Sequence, residues 1–431
     1  MPHIVIIGNG ISGITAARHI RKRSDSRITV ISGESEHFFS RTALMYVYMG
    51  HMRYADIKPY EDHFWAKNRI ELKHAWVQRV DTEKKQVELK DGGTINYDKL
   101  IIATGSASNK FGWPGQDLPG VQGLYSLQDL EAMEPNTKGI NRAVIVGGGL
   151  IGVEMAEMLH SRNIPVTFLV RETSFWGGVL PKKEAALIAK HITENGIDLR
   201  MDTEMKEILP GADGRVRAVV TKTGEEIACE FVGLTAGVHP NITWLKDSPA
   251  IKTDKGVLVN EHLETNVPDV FAIGDCVQFQ EHPDPQRKNV EQVWYTGRMM
   301  GETVARTVTG ERSSYRPGHW FNSAKFFDLE YQTYGWVRNE LQDGEEGHYW
   351  EHPNGKVALH LVWDRKSSVL HGVNSFGFRL RHEVFDRWLS AKATVDHVLA
   401  HLEEAAFDPE FYEKMEPLIR MSFKQANTVT A

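Results

Sequence analysis

The chain opens with His3-Ile-Val-Ile-Ile-Gly8-Asn9-Gly10-Ile11-Ser12-Gly13, an apolar run that ends in a glycine-rich turn. The run does not alternate with polar residues, which is typical of a strand in a parallel sheet buried on both faces. Residues 14–19 then have the composition of a helix. In a Gly-x-Gly-x-x-Gly turn the first glycine bends the chain, the second admits a pyrophosphate, and the third lets helix and strand pack closely. A single copy is a weak signal, because such turns also occur for structural reasons alone.

A second copy of the pattern lies at Arg142-Ala-Val-Ile-Val-Gly147-Gly148-Gly149-Leu150-Ile151-Gly152. Strand, glycine turn and helix follow one another as they do at the start of the chain. Two such turns indicate two bound dinucleotides, or one working site and a decayed copy. The alternation of strand and helix patterns along both segments favours two sites.

Composition excludes several classes of protein. The net charge of −7 over 431 residues argues against a nucleic-acid binder, which needs a concentrated basic face. No apolar run approaches the roughly 20 residues of a membrane span, and a first strand at residue 3 leaves no room for a signal peptide. Two cysteines, Cys229 and Cys276, cannot make a disulfide framework or a four-thiolate metal site. We therefore expect a cytoplasmic protein with reduced thiols, no metal centre and no transmembrane segment.

An acidic residue is expected about 20 residues after each glycine turn, where it binds a ribose hydroxyl. Glu34 follows the predicted strand at residues 27–31 and is the first candidate, with a solvated loop acid as the alternative. Arg171 and Glu172 follow the predicted strand at residues 166–170. Arg171 suits the 2′-phosphate of NADPH, whereas Glu172 suits the free 2′-hydroxyl of NADH.

The rest of the chain supplies further strands, turns and helices. Lys99-Leu-Ile-Ile-Ala103-Thr104-Gly105 is a buried strand with a small-residue turn, and proline–glycine pairs at residues 113–120 indicate a linker. Thr265-x-x-Pro268-x-x-Phe271-Ala272-x-Gly274-Asp275 combines a turn, a short strand and a Gly-Asp pair. Helices are predicted at residues 37–50, 181–195, 290–307, 385–402 and 411–421, and aromatic strands begin near residue 317.

Four of these signatures occur in a fixed order: the two glycine turns, Ala103-Thr104-Gly105, and the motif that ends in Gly274-Asp275. Together they resemble the flavin-dependent pyridine-nucleotide oxidoreductases with two dinucleotide-binding domains. Glutathione reductase, NADH oxidase, coenzyme A disulfide reductase and the ferredoxin reductases are members of this superfamily. The resemblance covers nearly the whole chain, and the set of four is far more specific than any one of its parts.

The resemblance implies an α/β fold with two Rossmann-like dinucleotide-binding domains and a C-terminal α+β interface domain. The FAD-binding domain is expected to be discontinuous, at residues 1–115 and 246–316. An NAD(P)H-binding domain is inserted at residues 116–245, and the interface domain follows at residues 317–431. Segments 322–329 and 405–411 look like the dimerisation domain of the NADH oxidase and coenzyme A disulfide reductase branch. A homodimer is therefore expected.

The resemblance also implies contacts to each cofactor. Glu34 would bind the adenosine ribose of FAD, Asp275 the ribityl chain, and the helix near residue 290 would point its positive end at the flavin. Glu154 would lie near the flavin and nicotinamide rings, with a helix-surface acid as the alternative. The implied FAD contacts are Gly8, Gly10, Ser12, Gly13, Glu34, Arg41, Ala103, Thr104, Gly105, Gly237, Gly274, Asp275, Gln292 and Val293. The implied NAD(P)H contacts are Gly147, Gly149, Ile151, Gly152, Arg171 and Glu172. Gly152, in place of alanine, favours NADH over NADPH.

The chain departs from the disulfide reductases of this superfamily at their redox cysteine. That thiol would fall at or beside Thr42, and no cysteine occurs before Cys229. Thiol–disulfide chemistry needs a thiolate next to the flavin, so we expect it to be absent, and sulfide:quinone reductase activity with it. Cys276 falls in the FAD motif and is expected to be a small buried residue.

A second departure concerns the ferredoxin reductases, which carry an arginine and a lysine on the same predicted helix. Arg41 matches the arginine and is a candidate for contact with the flavin, but Tyr46 stands at the lysine position. The usual lysine partner of Glu154 is therefore missing, and Lys325 or a histidine is left as its replacement. An aromatic Trp-Ser-Asp-Gln signature is also absent, although Trp320 and Phe321 lie nearby in sequence, where they would cap the flavin or pack in the core.

The predicted function is an FAD-dependent NAD(P)H dehydrogenase, with Glu154, Arg41 and Thr42 as catalytic candidates. A hydride passes from nicotinamide to flavin, and the electrons then go to an acceptor other than a disulfide, with an iron–sulfur or haem protein carrier favoured. The alternative is an NADH-sensing flavoprotein similar to apoptosis-inducing factor, whose role is partner binding. A quinone reductase with a membrane-facing tail at residues 411–424, or an oxidase that uses oxygen, also stays open.

Overall fold

The computed structural model describes residues 1–407 and 413–429. These residues form two compact units. The first unit consists of Met1–Gly112, Gln122–Gly139 and Gly237–Pro317. The second unit consists of Trp113–Val121, Ile140–Ala236 and the described part of Gly318–Ala431. The four-segment domain division given above stays a prediction.

A five-stranded parallel sheet forms the centre of the first unit. Its strands lie in the order Val270–Ala272, Lys99–Ile102, His3–Ile7, Arg27–Ser32 and Ile70–His74. The first strand is in the middle, and its Ile4, Val5 and Ile6 side chains are completely buried. This is what the unalternated apolar run predicts for a strand covered on both faces.

Two helices of the first unit, Ile11–Arg23 and Trp294–Val308, pack closely against each other. A Cβ atom on Gly297 would lie 2.6 Å from Ser12 Oγ, and one on Gly301 would lie 2.6 Å from Ser12 O. Both positions therefore need glycine for the helices to approach. The remaining helices of this unit are Leu44–Tyr48, His63–Lys67 and Leu127–Asn136, with 3-10 turns at Arg41–Ala43, Tyr54–Ile57, Thr243–Asp247 and Gly274–Cys276.

Smaller sheets complete the first unit. Val77–Asp81, Gln86–Leu89 and Thr94–Asn96 form an antiparallel sheet, and a turn at Asp91-Gly92-Gly93 joins its last two strands. Ser106–Ser108 pairs with Val238–Pro240, and Val257–Val259 pairs with Val277–Phe279.

Four parallel strands form the main sheet of the second unit, in the order Asp198–Arg200, Val166–Leu169, Ala143–Val146 and Phe231–Leu234. The short strand Val121–Gln122 lies next to Phe231–Leu234 in this sheet. Helices Leu150–Ser161 and Lys182–Glu194 belong to this fold. An antiparallel sheet of Met205–Pro210, Val216–Thr221 and Glu226–Ala228 is added to it. The glycine turn and the central strand thus occupy the same topological place as in the first unit, which confirms the α/β prediction with two nucleotide folds.

An antiparallel five-stranded sheet begins the C-terminal part of the second unit. Its order is Phe321–Phe326, Leu329–Gly335, Leu370–Phe376, Ala358–Asp364 and Glu345–Glu351. Helices His382–Ser390, Val395–Ala400 and Glu416–Val429 follow, with a 3-10 turn at Leu402–Ala405. The sheet and helices share a core that includes Val373, Phe385 and Ile419, all completely buried.

Several predicted helix bounds were wrong. Residues 37–50 form only a 3-10 turn and the five-residue helix Leu44–Tyr48. The helix predicted from residue 290 begins at Trp294, because Val293 is extended. The helix predicted at residues 385–402 is interrupted where Lys392 has a φ of +51°. Of the predicted segments 405–411 and 411–421, residues 408–412 lie outside the described residues.

Among the described residues, no helix is long and apolar enough to cross a membrane. In the same part of the chain, no group of three or more histidine, cysteine or acidic side chains is arranged to hold a metal ion.

Candidate cofactor sites

The first glycine turn leaves an open cradle at the start of helix Ile11–Arg23. Gly8 has a φ of +114°, and a Cβ atom there would lie 2.1 Å from Ala103 O. A Cβ on Gly13 would lie 2.0 Å from Gly8 O, whereas one on Gly10 would meet nothing within 4 Å. No side chain caps this helix N-terminus. The backbone N–H groups of the first helical turn therefore face open space. Together with the positive end of the helix dipole, they fit a negatively charged diphosphate.

The second glycine turn repeats this geometry in the second unit. Gly147 has a φ of +119°, and a Cβ atom there would lie 2.7 Å from Thr235 O. A Cβ on Gly152 would lie 2.6 Å from Gly147 O, and one on Gly149 would again meet nothing within 4 Å. Helix Leu150–Ser161 also begins without a side-chain cap. Each unit therefore carries a cradle of the same design.

Glu34, the predicted ribose ligand, is held by Arg41. The Arg41 guanidinium donates from Nη1 to Glu34 Oε1 at 2.7 Å and from Nη2 to Oε2 at 2.6 Å. The backbone N–H of Leu127 donates to the same Oε1 at 2.9 Å. Burial alone would lower the pKa of Arg41, but its hydrogen bonds to Glu34 raise it above its ordinary value. Arg41 therefore stays charged, and its guanidinium is directed at Glu34 in this structure.

A chain of polar contacts joins Asp275 to Gln292. Gln292 Nε2 donates to Ser106 Oγ at 2.7 Å, and this hydroxyl donates to Asp275 Oδ2 at 3.1 Å. The Ser106 N–H donates to Tyr125 Oη at 2.9 Å. Burial raises the pKa of Asp275, while the hydrogen bond from Ser106 opposes the shift. Asp275 and Gln292, which are 17 residues apart in the sequence, thus share one hydroxyl.

Ser106 and Tyr125 were not predicted. The Arg41 guanidinium lies 4.5 Å from the centre of the Tyr125 ring and donates to the Tyr125 carbonyl at 2.6 Å. Tyr125 therefore lies between the Glu34–Arg41 pair and the Asp275–Gln292 chain. Ser106 directly follows the Ala103-Thr104-Gly105 motif, which is a signal that could have identified it. Tyr125 lies beyond the linker, and no spacing rule connects it with residue 41.

The other predicted contacts of the first unit surround the same region. Gly274 has a φ of +76°, and a Cβ atom there would lie 2.3 Å from Ser12 Oγ. Thr104 Oγ1 donates to Asn241 O at 2.8 Å, and the backbone of Gly237 accepts from the Asn109 N–H at 3.1 Å. Val293 is the N-cap residue of helix Trp294–Val308.

Neither cysteine has the properties of a redox thiol. Thr42, at the expected cysteine position, is exposed and lies 3.3 Å from the Ser40 hydroxyl. Burial raises the pKa of the Cys276 thiol to about 11 and that of the Cys229 thiol to about 12. Both therefore stay protonated, whereas thiol–disulfide exchange needs a thiolate.

Glu154, the predicted acid of the second nucleotide fold, shares its helix with a second carboxylate. Burial, with a smaller effect from Glu157, raises the pKa of Glu154 to about 7. Lys325 Nζ donates to Glu157 Oε1 at 3.1 Å, so Lys325 is the partner of Glu157. Within residues 1–407 and 413–429 no hydrogen bond or ion pair to the Glu154 carboxylate is present. The expectation that Lys325 or a histidine pairs with Glu154 was therefore wrong.

The two residues with opposed nucleotide preference pair with each other. Arg171 Nε donates to Glu172 Oε1 at 2.7 Å, and this hydrogen bond raises the pKa of Arg171. Both side chains are exposed, with 72% and 46% of their surface accessible. Ile151 lies in the first turn of the helix that starts at the second cradle.

Residues 2–301 match the family model of the pyridine nucleotide-disulphide oxidoreductases. The chain belongs to this family. It is an FAD-dependent oxidoreductase that uses a pyridine nucleotide, and the two uncapped glycine cradles fit the diphosphates of these two cofactors.

Relatives of this oxidoreductase include electron-transfer reductases. It is 29% identical to rhodocoxin reductase of Rhodococcus erythropolis over 75% of this chain and 76% of that protein. It is 28% identical to the ferredoxin–NAD(+) reductase subunit of a benzene 1,2-dioxygenase system of Pseudomonas putida, over 72% of this chain and 75% of that protein. The ferredoxin reductase for the CYP199A2 system of Rhodopseudomonas palustris has the same fold, with a TM-score of 0.81 at 23% identity over 96% of this chain and 98% of that one.

Proposed function

We propose that this oxidoreductase takes a hydride from NADH and passes the two electrons, one at a time, to a small iron–sulfur protein. The bound flavin supplies the chemistry that converts a hydride into single electrons. The protein supplies the two diphosphate cradles, the polar contacts that orient the cofactors, and the electrostatic environment of both.

The observation that carries the proposal is the state of the thiols. The cysteine position of the disulfide reductases is expected at or beside Thr42, where this chain has no cysteine, and both cysteines of the chain are buried and protonated. Electrons must therefore leave the flavin for an acceptor outside the chain. The names of the two sequence relatives given above, rhodocoxin reductase and ferredoxin–NAD(+) reductase, support a protein carrier.

NADH is the proposed nucleotide. Glu172 neutralises the charge of Arg171 and would repel a 2′-phosphate, whereas a carboxylate at this position accepts a hydrogen bond from a free ribose hydroxyl. We also propose a cytoplasmic location, which two free cysteines support, and a homodimer, for which the segment at residues 322–329 is the sequence support.

Steady-state turnover with different acceptors tests the proposal. Purified holoenzyme is mixed with NADH or NADPH and with a [2Fe–2S] ferredoxin, a rubredoxin, a soluble quinone, coenzyme A disulfide or oxygen alone. We expect the highest kcat/KM with NADH and an iron–sulfur protein, and no turnover with the disulfide. Faster turnover with quinone or oxygen than with either iron–sulfur protein would overturn the choice of acceptor. A long-lived complex of nucleotide and reduced enzyme without turnover would favour a sensor.

A further inference from the structure

A buried group of two charged side chains and a histidine lies in the loop between strand Val277–Phe279 and Gln292. The side chains of His282 and Arg287 are each 1% exposed and that of Glu291 is 5% exposed. Charged residues are almost never buried to this extent unless they are paired. We call His282, Arg287 and Glu291 the loop clamp.

Glu291 is the centre of the loop clamp. Arg287 Nη1 lies 3.3 Å from Glu291 Oε1, and His282 Nε2 lies 3.4 Å from Glu291 Oε2. Arg287 Nε also donates to Asp284 Oδ2 at 3.2 Å, and the His282 Nδ1 atom lies 3.0 Å from the Asp284 N. The Glu291 carboxylate, at the end of the loop, thus lies close to one nitrogen of Arg287 and one nitrogen of His282, which come earlier in the same loop.

Aromatic rings enclose the loop clamp. Phe279 and Tyr315 stack with their ring centres 5.5 Å apart, and the His282 ring meets their edges at 4.8 and 6.2 Å. Tyr315 is completely buried. Exclusion of water strengthens the attraction between the charges and makes the loss of either partner costly.

The loop clamp ends one residue before the predicted flavin contacts. Glu291 is followed by Gln292, whose side chain donates to Ser106 Oγ and so joins the chain of contacts to Asp275. Val293 is extended and occupies the N-cap position of helix Trp294–Val308, without a side-chain cap hydrogen bond. The position of the Glu291 carboxylate therefore fixes the backbone from which both Gln292 and the first turn of this helix depart.

We propose that Glu291 is a positioning residue, whose buried ion pair with Arg287 and close contact with His282 hold Gln292 and the start of helix Trp294–Val308 in place against the flavin. The proposal rests on the FAD site of the proposed function, but not on the identity of the electron acceptor. A merely structural ion pair would change the stability of the fold without changing how the folded protein holds its flavin.

The test compares Glu291→Gln with Glu302→Gln. Glu302 forms an ion pair with Arg298 on the same helix at 3.2 Å, but both side chains are exposed, so it is the matched control. Three quantities are measured on folded protein: the dissociation constant for FAD, the midpoint potential of the flavin, and its circular dichroism in the visible range. For Glu291→Gln we expect a roughly tenfold weaker FAD affinity, a shifted potential and an altered dichroism, and for Glu302→Gln no change.

A folded Glu291→Gln protein with wild-type values of all three quantities would overturn the proposal. If Glu291→Gln does not fold, Glu291→Asp is measured in its place, because it keeps the carboxylate but shortens the side chain by one methylene group. The same three changes, smaller in size, are expected, and wild-type values would again overturn the proposal. Because no carrier is used, a wrong choice of electron acceptor leaves these results unaffected.

Discussion

The Arg41 guanidinium donates two parallel hydrogen bonds to the Glu34 carboxylate, at 2.7 and 2.6 Å. A third hydrogen bond reaches the carboxylate from the Leu127 N–H. An ionised carboxylate has about four acceptor sites, so one remains for a ribose hydroxyl. Arg41 therefore fixes the direction of the acceptor position of Glu34 that these three hydrogen bonds leave open. The contact of Arg41 with the flavin stays a prediction.

Loss of the Arg41 guanidinium is expected to weaken flavin binding. In Arg41→Met the Glu34 carboxylate loses two charge-assisted hydrogen bonds, and we expect FAD affinity to fall roughly tenfold. Arg41→Lys should recover only part of it, because an ammonium group cannot form the bidentate pair. The control is Arg53→Met, which removes an exposed arginine paired with Asp56. Flavin content after dialysis measures both; equal retention in Arg41→Met and Arg53→Met would refute this role.

The glycines of the first cradle should separate folding from cofactor binding. A methyl group on Gly10 meets nothing in the protein but enters the open space of the cradle, so Gly10→Ala should fold with an unchanged Tm and bind FAD poorly. A methyl group on Gly13 lies 2.0 Å from Gly8 O, and Gly13→Ala should lose about 1–3 kcal/mol of folding free energy. Thermal denaturation and flavin titration distinguish the two. Full FAD affinity in Gly10→Ala would show that the diphosphate does not approach this turn.

Glu154 is expected to make stability depend on pH between its ordinary and its folded pKa. Burial, followed by Glu157, raises this pKa from 4.5 to about 7, so the folded protein keeps a proton that the unfolded chain releases. Below pH 4.5 the Glu154 side chain is protonated in both states and costs no folding free energy. As the pH rises from 4.5 through 7, the unfolded chain loses this proton first, and the folded protein loses stability. Glu154→Gln should therefore raise the Tm relative to wild type at pH 8 but not at pH 4.5. The exposed Glu194→Gln is the control, and an equal Tm difference at both pH values would contradict the shift.

Removal of both thiols should leave the reaction intact. Cys229 and Cys276 are buried in the protonated form, and neither occupies the predicted redox position. The double variant Cys229→Ala, Cys276→Ala is expected to retain NADH-dependent turnover per bound flavin within about twofold, since each substitution changes only core packing. If turnover falls by more than about a hundredfold in a variant with full flavin content, one of the two thiols takes part in the reaction, which would contradict this account.

The sequence located the glycine turns, the Ala103-Thr104-Gly105 turn and the Gly274-Asp275 pair, because steric rules of the backbone fix their spacing. Gly8 and Gly147, for example, both have a positive φ, and a side chain on either residue would collide with the backbone that follows a neighbouring strand. These steric rules involve only a few neighbouring residues, so any sequence that adopts the turn must obey them and can be identified by its glycine spacing.

Partners of charged side chains could not be located in the same way. The contacts of Arg41 with Tyr125 and of Lys325 with Glu157 join residues 84 and 168 positions apart, and only tertiary packing determines them. The start of the helix predicted at residue 290 was also misplaced, because tertiary contacts of the preceding loop determine where this helix begins. The segment of bends and turns that contains His282 and Arg287 of the loop clamp continues to residue 290, and Val293 is extended, so the helix starts only at Trp294; composition alone does not indicate this.

Anaerobic stopped-flow mixing of the holoenzyme with NADH, followed by a [2Fe–2S] ferredoxin, tests the central claim most directly. We expect the visible absorbance of the flavin to disappear without a long-wavelength thiolate–flavin band, and to return as two ferredoxin molecules are reduced per NADH. Failure of NADH and NADPH to remove the flavin absorbance, or the appearance of a thiolate–flavin band, would contradict an electron path that runs from nucleotide through flavin to an external carrier.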